Sequence, residues 1–235
     1  MKSLIALFAI CLLASGSAGA ALDTAALEQA LVNPDRPAAD KELDASRQAP
    51  PVLSFLGLEA GMTVLDINAS AGWYTEVLSY AVGPNGKVYM QNRAGGRSAE
   101  AAAARAARLS NVEQWDDMAT LPASSLDFAI TNLNFHDFHN ADPANAQTIL
   151  ANVKAALKSG GILGVIDHEG TKGADNATLH RIATDDAVAA ITAAGFVLAG
   201  SSELLHNDAD DHTLGPFDPS LGRDTDRFVL KFTKP

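Results

Sequence analysis

Apolar residues in the first quarter of the chain recur at helical spacing, whereas beyond Thr63 they gather into short runs separated by amphipathic stretches. Asp23 to Leu31 has a helical pattern that Asn33-Pro34 closes. Asp35 to Ser46 then offers an N-cap, an early proline and mixed charges, so two short helices are predicted there. Pro50-Pro51 opens a third over Val52 to Leu56, and Gly57 and Gly61 bracket the turn that follows. From there strand-like runs at Val64–Ile67, Lys87–Gln91, Val112–Trp115, Asp127–Thr131 and Ile162–Asp167 alternate with helical segments at Gly72–Val82, Ser98–Leu109, Pro143–Leu157 and Thr184–Ala194. That alternation predicts an α/β fold, with a mostly parallel sheet covered on both faces. Gly83-Pro84-Asn85-Gly86 and Gly160-Gly161 supply turns before the second and fifth strands. Phe196–Ser201 and Phe228–Phe232 read as two further strands.

Composition narrows the possibilities. The 235 residues suffice for one α/β domain with a sizeable core. Met1-Lys2-Ser3, the apolar run Leu4 to Ala14 and the small residues ending Ala18-Gly19-Ala20 read as a secretory signal over 1–20, cleaved before Ala21. The run is too short to span a bilayer, so no membrane anchor is expected after cleavage. Cys11, the single cysteine, falls inside that leader, and bulky Ile10 before it argues against lipid attachment. The mature chain is therefore expected to be periplasmic or secreted and stabilised without disulfides. Residues 21–62 form an N-terminal helical segment and 63–235 the α/β domain. A net charge of −11, from 28 acidic and 17 basic residues with the latter dispersed, argues against nucleic acid as a partner.

The densest chemistry lies in Thr63 to Thr75, Thr-Val-Leu-Asp-Ile-Asn-Ala-Ser-Ala-Gly-Trp-Tyr-Thr. An apolar strand ends in a carboxylate, and small residues then open a helix, which is how a nucleotide-type ligand site is built. The stretch resembles the first motif of class I S-adenosylmethionine-dependent methyltransferases, D-x-G-x-G-x-G, with Asp66, Asn68, Ser70 and Gly72 in register. Asn68 is the mildest replacement for glycine, since asparagine enters the left-handed region readily, while the Ser70 Cβ is expected to tighten the loop. The resemblance covers most of the mature chain and is nearest to exported bacterial methyltransferases. It implies a Rossmann-like, doubly wound, seven-stranded sheet with an antiparallel last strand, S-adenosylmethionine as cofactor, and a small-molecule or protein methyl acceptor. A nicotinamide-dependent oxidoreductase would want three glycines in the loop and an acid at position 92.

The same resemblance assigns roles residue by residue. Asp66 matches the acid near the cofactor's amino acid end, where the ammonium needs a counter-charge. Asn92 stands where the family has a ribose-binding acid, and its uncharged amide predicts weaker ribose recognition. Asp117 matches the acid that contacts the adenine amino group, and a turn aspartate is its plainer reading. Asn132 ends the fourth strand beside the methyl-transfer position. His136 and Asp137 follow it, placed to bind or deprotonate an acceptor, although a structural histidine under the sheet edge fits His136 as well. Asp167-His168-Glu169, His180, His212 and Asp210-Asp211 are metal-capable, but none has the spacing of a known zinc or iron motif, and no metal is predicted. Arg36, Asp40, Asp44 and Arg47 fit local ion pairs on a solvated helix, with a lid over the cleft as the sharper alternative. Leu204 to Asp226, with His206, His212, Phe217 and Arg223, has the length of a structured loop that closes over a substrate. A binding module that keeps the fold without catalysis is the rival to an enzyme.

Overall fold

A computed structural model describes residues 20–235. The proposed leader, apart from Ala20, and Cys11 lie outside them. Seven strands, β1 (Thr63–Ile67), β2 (Lys87–Gln91), β3 (Val112–Trp115), β4 (Leu126–Asn132), β5 (Leu157–His168), β6 (Val197–Ser202) and β7 (Arg227–Thr233), form one sheet in the order β3-β2-β1-β4-β5-β7-β6. β1 is parallel to both β2 and β4, β2 to β3, and β4 to β5, while β7 runs antiparallel to its neighbours β5 and β6. The doubly wound sheet with a reversed last strand is thus the architecture the sequence pattern and resemblance imply.

Strand residues alternate between two buried layers, as period-two geometry requires. Leu65, Ile67, Ala129, Leu163 and Val165 join one apolar cluster under α8 (Pro143–Ala156) and α9 (Thr184–Ala193). Val64, Val88, Phe128, Ile130 and Ile166 point the other way, against α1 (Thr24–Leu31), α4 (Ala49–Leu56) and α5 (Trp73–Val82). Both faces are covered over the central strands, which is why those read as apolar runs, whereas the edge strands β3 and β6 are largely exposed. Among the described residues no helix is long and apolar enough to cross a membrane.

Three local expectations change. The single helix expected over Asp35 to Ser46 is two one-turn helices, α2 (Ala38–Lys41) and α3 (Asp44–Arg47), whose N-caps, Pro37 and Leu43, make no side-chain capping bond. Asp35 instead follows a turn in which Asn33 Oδ1 accepts from Asp35 N at 2.9 Å. Leu157 belongs to β5, not to the preceding helix. β4 pairs with it directly, and Gly160, at φ 76°, makes its turn within β5 instead of before it. A helix unseen in the sequence, α7 (Phe135–Ala141), follows β4 and carries His136 and Asp137.

The segment before β1 is not a solvated helix. Arg36 is 2% exposed and pairs with Asp44 through two nitrogens at 2.6 and 2.9 Å, rather than with Asp40. Asp40 instead meets Arg105, on α6 (Ala99–Arg108), at 2.6 Å. Arg105 Nε also donates to the Ala71 carbonyl at 2.6 Å, and its guanidinium pairs with fully buried Glu76 on α5, which Arg108 joins at 2.9 Å. Burial alone would raise the Glu76 carboxyl, but hydrogen bonds from Arg108 and Tyr80 and the charges of Arg105 and Arg108 hold it below the ordinary range. One guanidinium therefore fastens the N-terminal segment, α5 and the loop after β1. Arg105→Leu strands the Asp40 carboxylate and leaves buried Glu76 to Arg108. It should lower stability by about 3–5 kcal/mol in urea unfolding, and Arg105→Leu with Glu76→Leu should recover part of that loss.

Candidate active site

The carboxyl ends of β1 and β4, where strand order reverses, open into a cavity of about 450 Å³. Its back wall starts at Asp66, 2% exposed, whose Oδ2 accepts from the Thr75 hydroxyl at 2.6 Å. Burial raises the Asp66 carboxyl to about 7 against the lowering effect of the Thr75 hydrogen bonds and of Arg47 and Arg105.

The loop from Asn68 to Gly72 forms one side. Asn68, Ser70 and Gly72 have φ of 50°, 55° and 83°, so all three motif positions hold the left-handed conformation although only the last is glycine. Such backbone costs a non-glycine residue about 1–2 kcal/mol, and the surroundings supply the compensation. Gln91 Oε1 accepts from Asn68 N at 3.0 Å. The Asn92 amide grips the Ser70 peptide from both sides, accepting from its N–H at 2.8 Å and donating to its carbonyl at 2.9 Å. Asn134 Nδ2 reaches the Asn68 carbonyl at 3.3 Å. Glycine is obligatory only at 72, where a Cβ would lie 2.5 Å from Met90 Cε and 2.9 Å from Arg105 Cδ.

The N-terminal segment closes the opposite side through Asp40, Leu43, Ser46 and Arg47. Trp73 Nε1 donates to the Asp40 carbonyl at 2.9 Å, and the Arg47 guanidinium lies 4.5 Å over the Trp73 ring. Burial depresses the Arg47 pKa, and among the described residues its guanidinium has no hydrogen bond or ion pair. Beside it the Tyr74 hydroxyl is buried without a partner. Arg227 is occupied, donating to the Ser46 and Arg223 carbonyls at 2.8 and 2.5 Å. Pro216, Phe217 and Arg223 bring the long β6–β7 loop to the mouth, with Phe217 66% exposed.

At the β4 end, Asn132 and Asp137 line the cavity. Behind Asp137 the His136 ring is buried, its Nδ1 at 2.6 Å from Asp167 Oδ1 and its Nε2 at 3.2 Å from Asp137 Oδ1. Burial disfavours its charge, yet the hydrogen bonds and charges of Asp137 and Asp167 prevail and raise it to about 9. His168, which also lines the cavity, moves well below the usual range through burial and the nearby charges of Arg227 and His136.

No family model and no curated protein matches the sequence. Solved structures do match. An S-adenosylmethionine-dependent methyltransferase from Aquifex aeolicus superposes with TM-score 0.63 at 22% identity, over 91% of this chain and 99% of that one. One from Mesorhizobium loti gives 0.57 at 15%, over 81% and 99%. Aeropyrum pernix fibrillarin, in complex with natively bound S-adenosylmethionine, gives 0.51 at 15%, over 78% and 73%. The architecture is the class I methyltransferase fold.

Within this methyltransferase fold, Asp66, Asn68, Ser70, Gly72 and Asn132 line the cavity, as does Asp137. Asn92 and Asp117 do not. The Asn92 amide is engaged by the Ser70 peptide, and the Asp117 carboxylate caps a short 3-10 turn by accepting from Ala119 N at 2.9 Å. His136 stands one layer back, behind Asp137. The expected narrowing by the Ser70 Cβ does not close the cavity, because the Ser70 hydroxyl is turned to Ser98 Oγ at 3.0 Å. Tyr74, Arg227 and the anchoring of His136 by Asp167 emerge only in the fold. Tyr74 sits in the motif but looks like an ordinary core aromatic, and no local pattern distinguishes Arg227.

Two outcomes follow from this geometry. Asn92→Asp, although closer to the family pattern, sets an anionic oxygen against the Ser70 carbonyl and should lower stability by about 1–3 kcal/mol, seen as a drop of several degrees in the thermal midpoint. Native Asp66 keeps its proton up to about pH 7 whereas the unfolded carboxyl loses it near 4, so its contribution to stability falls as pH rises between those values. Asp66→Asn, which keeps an acceptor for Thr75, should therefore gain on the wild type in urea midpoint from pH 5 to pH 8. A difference independent of pH would contradict the assignment.

Proposed function

We propose that the protein binds S-adenosylmethionine in the rim cavity and transfers its methyl group to a small-molecule or protein acceptor outside the cytoplasm. The observation that carries this reading is the loop at 68–72, which keeps three left-handed residues beside an open cavity at the carboxyl ends of β1 and β4. The donor set fits the group. Asp66, kept protonated up to about pH 7 by burial, would ionise against an ammonium brought beside it, while the unpaired Arg47 guanidinium and the partnerless Tyr74 hydroxyl suit a carboxylate, so both charges of a zwitterionic amino acid find a complement. Gly72 lets backbone come where a Cβ would collide. When bound, the cofactor supplies a methyl group on a sulfonium, a good leaving group.

This chain's residues then have mainly to orient, exclude water and receive the acceptor. Asn132 and Asp137 are the groups at the acceptor side, and Phe217 and Arg223 cover the mouth. The leader-like segment at 1–20 supports an acceptor in the periplasm or beyond, and the acidic charge supports one that is not nucleic acid.

A thermal shift with S-adenosylmethionine tests cofactor binding. Ligand at about a hundred times its dissociation constant stabilises by roughly 2.7 kcal/mol, which for a chain of this size raises the midpoint by about 5–10 °C. Arg47→Leu should cut affinity at least tenfold with little change in the ligand-free midpoint. No shift in the wild type at millimolar ligand would refute the proposal. Acceptor location is tested by incubating the protein and labelled methyl donor with separated envelope and cytoplasmic extracts; label is expected in the envelope fraction.

A further inference from the structure

Next to the cavity, the side chains of His136, Asp137 and His180 each offer a ligand atom, and those atoms lie within 4.8 Å of one another. We propose that this trio is a binding site for a divalent transition-metal ion, with zinc the best match to its donors. The proposal goes beyond the cofactor reading and does not depend on it. Two imidazole nitrogens with one carboxylate oxygen make a borderline-soft set suited to zinc, and three protein ligands leave a fourth tetrahedral position for water or for a molecule in the cavity.

The second line of support is the layer behind the ligands. Fully buried Asp167 receives the His136 Nδ1–H at 2.6 Å, and its own position is fixed by the backbone N–H groups of His136 and His168, each at 2.8 Å. That arrangement directs Nε2 toward Asp137 and is the carboxylate–histidine pairing found behind metal-bound imidazoles. His180 lies nearer solvent, its side chain 46% exposed, and is placed by its neighbours. Its Nδ1 lies 3.1 Å from Asp137 Oδ1, its ring meets His136 edge-on at 5.7 Å, and its backbone keeps φ 51°. The next residue, Arg181, is fully buried, paired with Asp210 at 2.8 Å and donating to the Glu169 carbonyl at 2.8 Å. A ligand on a loop fastened in this way needs little ordering when an ion arrives.

The other histidine pair is built differently. His206 and His212 contact opposite oxygens of Asp226, at 3.0 and 2.9 Å, so one carboxylate separates the two rings. It serves as the internal control.

The experiment uses the full mature chain, freed of metal by chelator dialysis, with zinc titrated by calorimetry and cobalt followed by its visible ligand-field bands. One zinc equivalent is expected, with cobalt bands showing nitrogen and oxygen ligation. His180→Ala and Asp137→Ala alter half-exposed side chains, and circular dichroism verifies their folding. Each should weaken zinc binding at least tenfold, while His206→Ala with His212→Ala should bind like the wild type. The proposal is overturned if the wild type takes up no zinc, if His180→Ala retains full affinity, or if affinity disappears in the His206 and His212 variant.

Discussion

The site depends on a single guanidinium. Arg105 reaches from α6 to the Ala71 carbonyl in the loop after β1, to Glu76 on α5 and to Asp40 in the N-terminal segment. These parts belong to three stretches of sequence, and each forms a different wall or support of the cavity. Arg105 is itself buried, so water cannot easily take the place of any of its partners. The ligand loop and the N-terminal wall thus share one charged anchor, beside the amide clamps on the loop and the Trp73 contact to Asp40.

Much of the architecture was legible because it rests on periodicity. The runs Val64–Ile67 and Asp127–Thr131 are apolar on both faces, and only a strand between two helical layers explains that. The reversed last strand came from resemblance rather than pattern, since nothing in Phe228–Phe232 encodes direction. The α7 helix escaped notice because Phe135 to Ala141 is rich in His, Asp and Asn, residues with middling helix preference, and it is held by α8 and β5 rather than by its own composition.

The site was legible in part for a related reason. Asp66 and Gly72 announce themselves by strand-end and turn chemistry. Arg36 and Asp44 do form a local ion pair, though a buried one, whereas the partner of Asp40 is Arg105, far along the chain, of which the helical spacing of this stretch gives no hint. His136, Asp137 and His180 are likewise separated by a 43-residue interval that no short motif spans, and the sheet edge brings them together. Tertiary contacts set the partner of each charge, and local sequence reports only the charge.

Asn68 and Ser70 occupy backbone that glycine would adopt freely, and they do so because Gln91, Asn92 and Asn134 grip the neighbouring peptides. The burden of specification has therefore migrated from the turn to its scaffold. Positions 68 and 70 then need only tolerate the left-handed region, while the amides that clamp them must supply specific donors and acceptors. Among related chains built on this plan, constancy should be sought at 91, 92 and 134, even where the turn itself no longer spells its familiar pattern.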